Sequence, residues 1–383
     1  MPPPVDSRKA LRTIAERKLD YYGSGIDPAD GLMVSRGSQR SDDGRGSLST
    51  AAEALTVSAI VVYFRTPTQL KSCLDSLRKQ THRLEEIVVV DNSSAIDAAD
   101  TSRDAGDDWK WLQMAENVGF AAACNAGAAR TRADFMLFLN ADVQLEPTAC
   151  DKLLRCISAD SKRAIVGPRI YDAAGRIELS ARSFPSAMTG VLGRNSAITR
   201  LLRRIGITPS AVSGATTEWA TRSDWVSGAC MMLRREAFDE AGGFDEGYWM
   251  YWEDADLCRH LAQLGYESWF EPAAVGCHAT GSSGQSERSV RAFHESAARY
   301  FERHLARSRL SAALVKLALA ARCRLAVRRA HVMGKERDSL RRAWRNHRAD
   351  APRADSHPSP PGMQPARVTP LPRDRARRAE TRT

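Results

Sequence analysis

VSAIVVYF occupies residues 57–64, and Arg65-Thr66-Pro67 follows at once. A continuous, β-branched apolar run of this length is the pattern of a strand covered on both faces, and a proline near the first turn suits a helix start. Leu70, Cys73, Leu74 and Leu77 then recur at helical spacing. The alternation continues outward. Ile87–Val90 reads as a second buried strand, ending at Asp91-Asn92-Ser93-Ser94. Gly119–Ala129 reads as a helix of small residues, and Phe135–Leu139 as a strand ending at Asn140-Ala141-Asp142. Glu146-Pro147 opens a helix through Ile157, and Ile165-Val166 begins the next strand. This β-α-β-α order predicts an α/β layer fold with a mostly parallel sheet.

The chain has 383 residues, a net charge of +10 and 43% hydrophobic residues. Those values exclude a wholly disordered chain, a collagen-like chain and a small disulfide scaffold. No window approaches the roughly 20 apolar residues of a membrane span. Met1–Arg8 lacks an apolar core behind its first charges, so no secretory signal is expected. The eight cysteines contain no C-x-x-C pair and read as reduced thiols of a cytoplasmic protein. The charge is uneven. Residues 299–383 carry 22 Lys or Arg against 7 Asp or Glu, while the rest of the chain is mildly acidic. Four parts are expected. Residues 1–54 form a largely disordered extension, with a short helix at Ala10–Tyr21, and 55–298 hold the α/β domain. Residues 299–347 form a basic amphipathic helical segment, and 348–383 a disordered Pro/Arg-rich tail.

Ligands of open α/β sheets bind beyond the carboxyl ends of the strands. Asp91, Asn92, Ser93 and Ser94 follow one strand, and Asn140 and Asp142 another. Asn117 and Gly119 precede a helix whose N-terminus would offer free N–H groups and positive dipole. Singly, each reads equally as a cap or turn residue; together they point to a nucleotide or phosphate site. Neither a P-loop nor a G-x-G-x-x-G follows a strand, which weighs against those two modes. A carboxylate such as Asp142 beside a diphosphate requires a divalent cation between them, Mg²⁺ in particular. Glu253-Asp254 follows Trp249-Met250-Tyr251-Trp252. Asp254 is either the cap of the helix through Leu257, Leu261 and Leu264 or a general base. Asp256 and Arg259, three apart, read as a simple surface pair. Trp249, Tyr251 and Trp252 read either as sugar-stacking platforms or as core. His278 sits in a Gly/Ser-rich loop, Gly276–Gly284, where a ligand role is open to it.

Four stretches carry a resemblance: VSAIVVYFRTPTQLKSCLDSL (57–77), EEIVVVDNSS (85–94), ENVGFAAACNAGAARTRADFMLFLNADV (116–143) and WVSGACMMLRREAFDEAGGFDEGYWMYWEDADLCRHL (225–261). In this order and at these separations they resemble family 2 glycosyltransferases, nearest the bacterial rhamnosyltransferase-type branch, over about residues 56–284. The resemblance implies a GT-A fold, a nucleotide-binding sheet merged with an acceptor-binding half, and a nucleoside diphosphate sugar donor. It implies that Tyr63, Phe64, Arg65, Asp91 and Asn92 surround base and ribose, and that Asn117, Gly119, Phe120 and Asn125 lie along the donor. Asn140-Ala141-Asp142 stands at the D-x-D metal motif, so Asp142, completed by His278, would hold Mg²⁺ or Mn²⁺. Glu253-Asp254 stands at the E-D pair whose Asp is the catalytic base. Three departures stand out. Asn140 replaces the first Asp of D-x-D, which implies weaker metal binding. Arg65 stands where many relatives have Asn. The Q-x-x-R-W motif of processive members is missing downstream of Asp254.

The implied reaction is an inverting transfer to a glycan or lipid-linked acceptor in bacterial cell-surface polysaccharide assembly. Leu310, Leu314, Leu317, Ala321 and Leu325 form one helical stripe crowded by Arg307, Lys316, Arg322, Arg324, Arg328 and Arg329. Within residues 306–347 this describes a helix lying on an anionic membrane, on the inner face of the cell membrane, or packed on the body or a second subunit. A competing reading makes the basic tail a nucleic-acid-binding element beside a degenerate nucleotide-binding body. The acidic body and the near absence of aromatics in the tail, Trp344 apart, argue against it, and no nucleic acid partner is expected.

Overall fold

The computed structural model describes residues 55–93, 109–185, 217–278 and 286–328. The expectations for 1–54, for the end of the basic segment beyond 328 and for 348–383 lie outside the described residues, as do Ser94 and Ala279–Gly284.

The first half is a parallel βαβ array. β1 (Val57–Tyr63) lies between β2 (Glu86–Asp91) and β4 (Phe135–Asn140), parallel to both, and β3 (Lys110–Gln113) extends the sheet beyond β2 in parallel. β1 is apolar throughout because both its faces are covered. Val57, Ala59, Val61 and Tyr63 pack under α1 (Pro67–Arg78), and Ile60 packs under α2 (Phe120–Ala128). On α1 the expected stripe Leu70, Cys73, Leu74 and Leu77 is the buried face. Each buried leucine of that stripe contributes about 2 kcal/mol. The small residues of α2 let it approach the sheet closely: a Cβ on Gly127 would stand 2.5 Å from Ile60 Cγ2.

After β4 the direction changes. β5 (Val143–Leu145) leads to α3 (Ala149–Ser158), then to the long β6 (Arg163–Asp172). β7 (Ile177–Glu178) folds back on β6, and β8 (Ala181–Arg182) pairs with β10 (Trp225–Val226) in a separate two-stranded sheet. β9 (Thr221–Ser223) and β5 flank β12 (Glu267–His278) antiparallel, and β12 runs parallel to β6. β11 (Cys230–Arg234) is inserted antiparallel between β4 and β6. The ten-stranded sheet is therefore mixed, with its longest ladders parallel. That is the mainly parallel α/β architecture expected, with an antiparallel strand joining its two halves.

α4 (Arg235–Glu240), α5 (Glu253–Gln263) and α6 (Glu287–His304) complete the second core with Phe238, Leu257, Leu261 and Tyr300. The boundary expected at 298/299 falls inside α6, whose Tyr300 and Phe301 are buried, because its apolar face packs on the body. Residues 309–328 form a further helix, α7. All eight cysteines are free and buried. Among the described residues no helix is long and apolar enough to cross a membrane.

Candidate active site

Parallel pairing puts the ends of β2, β1 and β4 at one edge, with Tyr63 opposite Asp91 and Val62 opposite Asn140. Tyr63 is buried against Trp111, ring centroids 5.9 Å apart. Phe64 is exposed, with the Arg65 guanidinium 5.3 Å from its ring centroid. Arg65 takes a left-handed backbone, φ 51°, and its N–H donates to Ser93 Oγ at 3.3 Å. Asp91 is fully buried and accepts from Ser93 N at 2.8 Å. A strained non-glycine residue directly after a strand is common at functional sites.

The asparagines bond the backbone. Asn92 donates to Gly119 O at 2.9 Å and accepts from Val118 N at 2.9 Å. Asn117 accepts from Gly119 N at 3.1 Å, and Phe120 N donates to the Trp249 carbonyl at 2.8 Å. Three successive N–H groups leading into α2 are thus already engaged. Of the helix's own first-turn N–H groups, that of Phe120 is taken by the 245–252 loop. Gly119 permits this contact: its φ is 92°, and a Cβ there would stand 2.2 Å from Trp249 O. Asn125 clamps Phe244 through both its amide oxygen and nitrogen, each at 2.9 Å. Asn117 and Asn125 also line a cavity of about 730 Å³ with Glu246, Trp249 and Arg288. Their side chains and backbone hold the loop that carries Asp254.

Asp142 follows β4 and faces His278, the last residue of β12: His278 Nε2 lies 3.1 Å from Asp142 Oδ1. The register of β12 against β5, His278 opposite Val143, makes this contact. On the other side of the ring, Nδ1 lies 3.0 Å from Glu178 Oε2. Burial alone would lower the imidazole's proton affinity, but its hydrogen bonds to Asp142 and Glu178 outweigh it and raise its pKa to about 10. Among the described residues no group of three or more His, Cys, Asp and Glu could by itself hold a metal ion. Asp142 and His278 offer one carboxylate and one ring nitrogen to a common point, a donor set that suits a cation whose other ligands are phosphate oxygens and water.

Asp254 lies in the first turn of α5. The helix cap is Trp252, which makes no side-chain cap bond, so Asp254 is not the cap. Its carboxylate instead accepts from Gly228 N at 2.9 Å and from Ala255 N at 2.8 Å. Burial raises its pKa, opposed by those N–H groups and by the Arg182 charge. Glu253 is buried, and burial, then the neighbouring Asp254, pushes its carboxyl well up. Tyr251 and Trp252 both take left-handed backbones, φ 67° and 72°. Such conformations cost about 1–3 kcal/mol each and persist only where surroundings enforce them.

Those surroundings are α6. Ser296 Oγ donates to Met250 O at 2.9 Å, and Trp252 packs on Phe293 and Tyr300 with centroids 5.8 and 5.2 Å away. Asp245 pairs with Arg299 and Arg303. Asp256 is 2% exposed and no surface residue. It accepts from the Tyr248 hydroxyl at 2.9 Å and lies 2.6 Å from His304 Nε2, while Arg259 turns to the Tyr300 hydroxyl. Trp252 therefore packs in the core, Trp249 donates through Nε1 to Asn117 O, and Tyr251 is partly exposed against Phe293.

The clusters adjoin. Gly228 N holds Asp254, and the next residue, Ala229, accepts from Asn140 N at 3.0 Å, two positions before Asp142. Ser227 N donates to Ser180 O at 2.7 Å, and Ser180 N to Glu178 O at 2.8 Å. A Cβ on Gly228 would meet Phe120 at 3.3 Å and Asp254 at 3.5 Å. One hydrogen-bonded strip thus runs from Asp142, His278 and Glu178 to Asp254. Glu178 and the α6 brace gave no sequence signal: Glu178 lies 100 residues from His278, and Asp256 lies 48 from His304.

The family model described as Glycosyl transferase family 2 matches residues 58–242. An N-acetylglucosaminyl-diphospho-decaprenol L-rhamnosyltransferase of Mycobacterium tuberculosis is 30% identical over 259 residues, covering 64% of this chain and 84% of that protein. The rhamnosyltransferase WbbL of Escherichia coli is 30% identical over 149 residues, covering 38% of this chain and 52% of that protein. A low-salt glycan biosynthesis hexosyltransferase of Haloferax volcanii is 25% identical over 206 residues, covering 53% and 60%.

Proposed function

Because the chain belongs to glycosyltransferase family 2, and so is a glycosyltransferase, we propose that it moves a sugar from a nucleoside diphosphate to a hydroxyl acceptor with inversion, Asp254 acting as base. The observation that carries this reading is the strip joining Asp254, through Gly228 and Ala229, to Asn140 and the Asp142–His278 pair. The acceptor oxygen attacks the anomeric carbon as its proton passes to the Asp254 carboxylate. The bond from that carbon to the diphosphate oxygen breaks, and the electron pair leaves with the nucleoside diphosphate. The raised proton affinity of Asp254 suits a base, and its two backbone N–H bonds fix its direction. Asp142 and His278 would hold Mg²⁺ or Mn²⁺, which supplies positive charge opposite the leaving diphosphate. Tyr63, Phe64, Arg65 and Asp91, side by side at the strand ends, would bind the nucleoside. Asn92, Asn117, Gly119, Phe120 and Asn125 would shape the donor site by holding the 245–252 loop.

The rhamnosyltransferase relatives favour L-rhamnose as the sugar and a polyprenyl-diphosphate-linked glycan as the acceptor. The deciding experiment is Asp254→Asn: transfer should be abolished while donor binding, by calorimetry, stays nearly intact. Near-normal turnover in that variant would remove the base from this mechanism.

A lipid-linked acceptor fits α7. Its Ala312, Leu319, Cys323 and Val327 are buried, whereas Leu310, Leu314, Leu317 and Leu325 on the opposite face are 70, 59, 69 and 56% exposed. Residues 305–335 contain no Asp or Glu and eight Lys or Arg. Packing and an outward apolar stripe, alternatives in the sequence, thus coexist on opposite faces. The stripe with its basic flanks would seat the enzyme on an anionic bilayer at the cytoplasmic face. Leu314→Glu with Leu317→Glu should prevent flotation with anionic liposomes without lowering the melting temperature. Undiminished flotation would end the membrane role.

A further inference from the structure

Glu178 lies in the strip, and no sequence motif assigns it a task. Its Oε2 lies 3.0 Å from His278 Nδ1, and the opposite ring nitrogen lies 3.1 Å from Asp142 Oδ1. The backbone sets this order. Glu178 pairs with Ile170 on β6, Asp172 of β6 with His278 of β12, and His278 with Val143 beside Asp142. Glu178 on β7 thus lies across β6 from His278, and Asp142, just before β5, lies on the other side of β12, with the imidazole in the middle. Their side chains are 27, 13 and 16% exposed for Glu178, His278 and Asp142, so the arrangement is partly screened from water and not a loose surface contact.

We propose that Glu178 is the positioning residue of the cation site: it holds the Nδ1 proton of His278 and so leaves Nε2, on the Asp142 side of the ring, as the nitrogen that exchanges its proton for the cation. The inference rests on Asp142 and His278 being the cation's protein ligands. A neutral imidazole has one N–H and one lone pair, and only the lone pair can bind a metal. An ionised carboxylate can only accept, so Glu178 keeps a proton on Nδ1; Asp142 does the same at Nε2 until a cation takes that proton's place. Carboxylates in this outer position orient the ring and increase its basicity as a ligand. Glu178 is not itself a ligand, because the imidazole stands between it and Asp142. Its strand also continues through Ser180 to Ser227, beside the Gly228 that holds Asp254. The residue that orients the metal-binding ring is thus built into the segment that supports the base.

The test is Mn²⁺ binding to the full chain, read from the electron paramagnetic resonance of free Mn²⁺ at saturating nucleoside diphosphate. Glu178→Ala should weaken binding roughly 10- to 100-fold. Glu178→Gln, whose amide oxygen still accepts from Nδ1, should recover most of that loss. His278→Ala should weaken binding at least as much, and adding Glu178→Ala to it should change nothing further, since the carboxylate acts only through the ring. A merely structural role would give additive losses and no rescue by glutamine, and would overturn the proposal. So would wild-type affinity in Glu178→Ala. Should the wild-type chain bind no Mn²⁺ beside the nucleotide, the cation reading itself falls and takes the proposal with it.

Discussion

Among the described residues two aspartate–histidine pairs stand out, and they are built differently. At Asp142–His278 the side chains are 16 and 13% exposed, and a second carboxylate, Glu178, holds the far ring nitrogen. At Asp256–His304 both side chains are 3% exposed, and the carboxylate is shared with the Tyr248 hydroxyl and approached by Arg303. The first has two acids on one base, an excess of negative charge at the rim of the strand ends. The second is closed, its acid matched by donors from α6 and the 245–252 loop. The difference teaches that the residue pair alone does not reveal its role. The number of acids around the ring, and whether solvent or ligand can reach it, decide between a site and a joint.

The sharpest way to break this comparison is to remove the acid from the closed pair. Asp256→Ala leaves His304 and the Tyr248 hydroxyl buried without their acceptor. It should cost about 3–5 kcal/mol of unfolding free energy in urea. Asp256→Asn, which keeps an acceptor oxygen, should cost less. A loss under about 1 kcal/mol would mean that the joint does not hold α6 to α5, and that the left-handed Tyr251 and Trp252 are enforced by ring packing alone.

The open pair should respond in ligand binding. Asp142→Asn keeps the side-chain shape and removes the charge. It should weaken nucleotide-dependent Mn²⁺ binding about tenfold or more, roughly 1.4 kcal/mol, and depress transfer with it. Equal Mn²⁺ binding by wild type and variant would make Asp142–His278 a second joint and erase the contrast.

The parallel half of the fold was legible because its signals are local. VSAIVVY is apolar on both faces, and the Leu70–Leu77 stripe has one period, so β1 and α1 follow from neighbouring residues. The strand ends at Asp91 and Asn140 were readable for the same reason. β11 was not: CMMLR is as apolar as a parallel strand, and nothing local says that it runs antiparallel between β4 and β6. In the site, Asp142 and Asp254 stood out as acids at element ends, whereas Asp256 looked like one half of an i, i+3 surface pair. Its true partner, His304, comes from a helix 48 residues on, and only packing brings them together. The amides of Asn92 and Asn125 look equally suited to a ligand or to a backbone in the sequence; folded, Asn92 bonds Val118 and Gly119, and Asn125 bonds Phe244.

The smallest effect concerns Asp254, the proposed base, whose environment lies between the two pairs: half-buried, less sealed than Asp256, and bonded to backbone N–H groups instead of a histidine. Burial raises the Asp254 pKa, while Gly228 N, Ala255 N and the charge of Arg182 lower it. Arg182 is held on β8, with its guanidinium 5.0 Å from the Trp225 ring centroid and its Nε bonded to Leu179 O. Arg182→Gln keeps most of the stem and removes the charge. With burial less opposed, Asp254 holds its proton to higher pH. With Asp254 as the proposed base, which acts ionised, the acid limb of the kcat/KM profile should move to higher pH while the melting temperature changes little. An acid limb that stays in place, or moves to lower pH, would show that Arg182 does not act on the base. Asp254 would then depend on the Gly228 and Ala255 N–H groups alone, a site set by backbone, unlike either histidine pair.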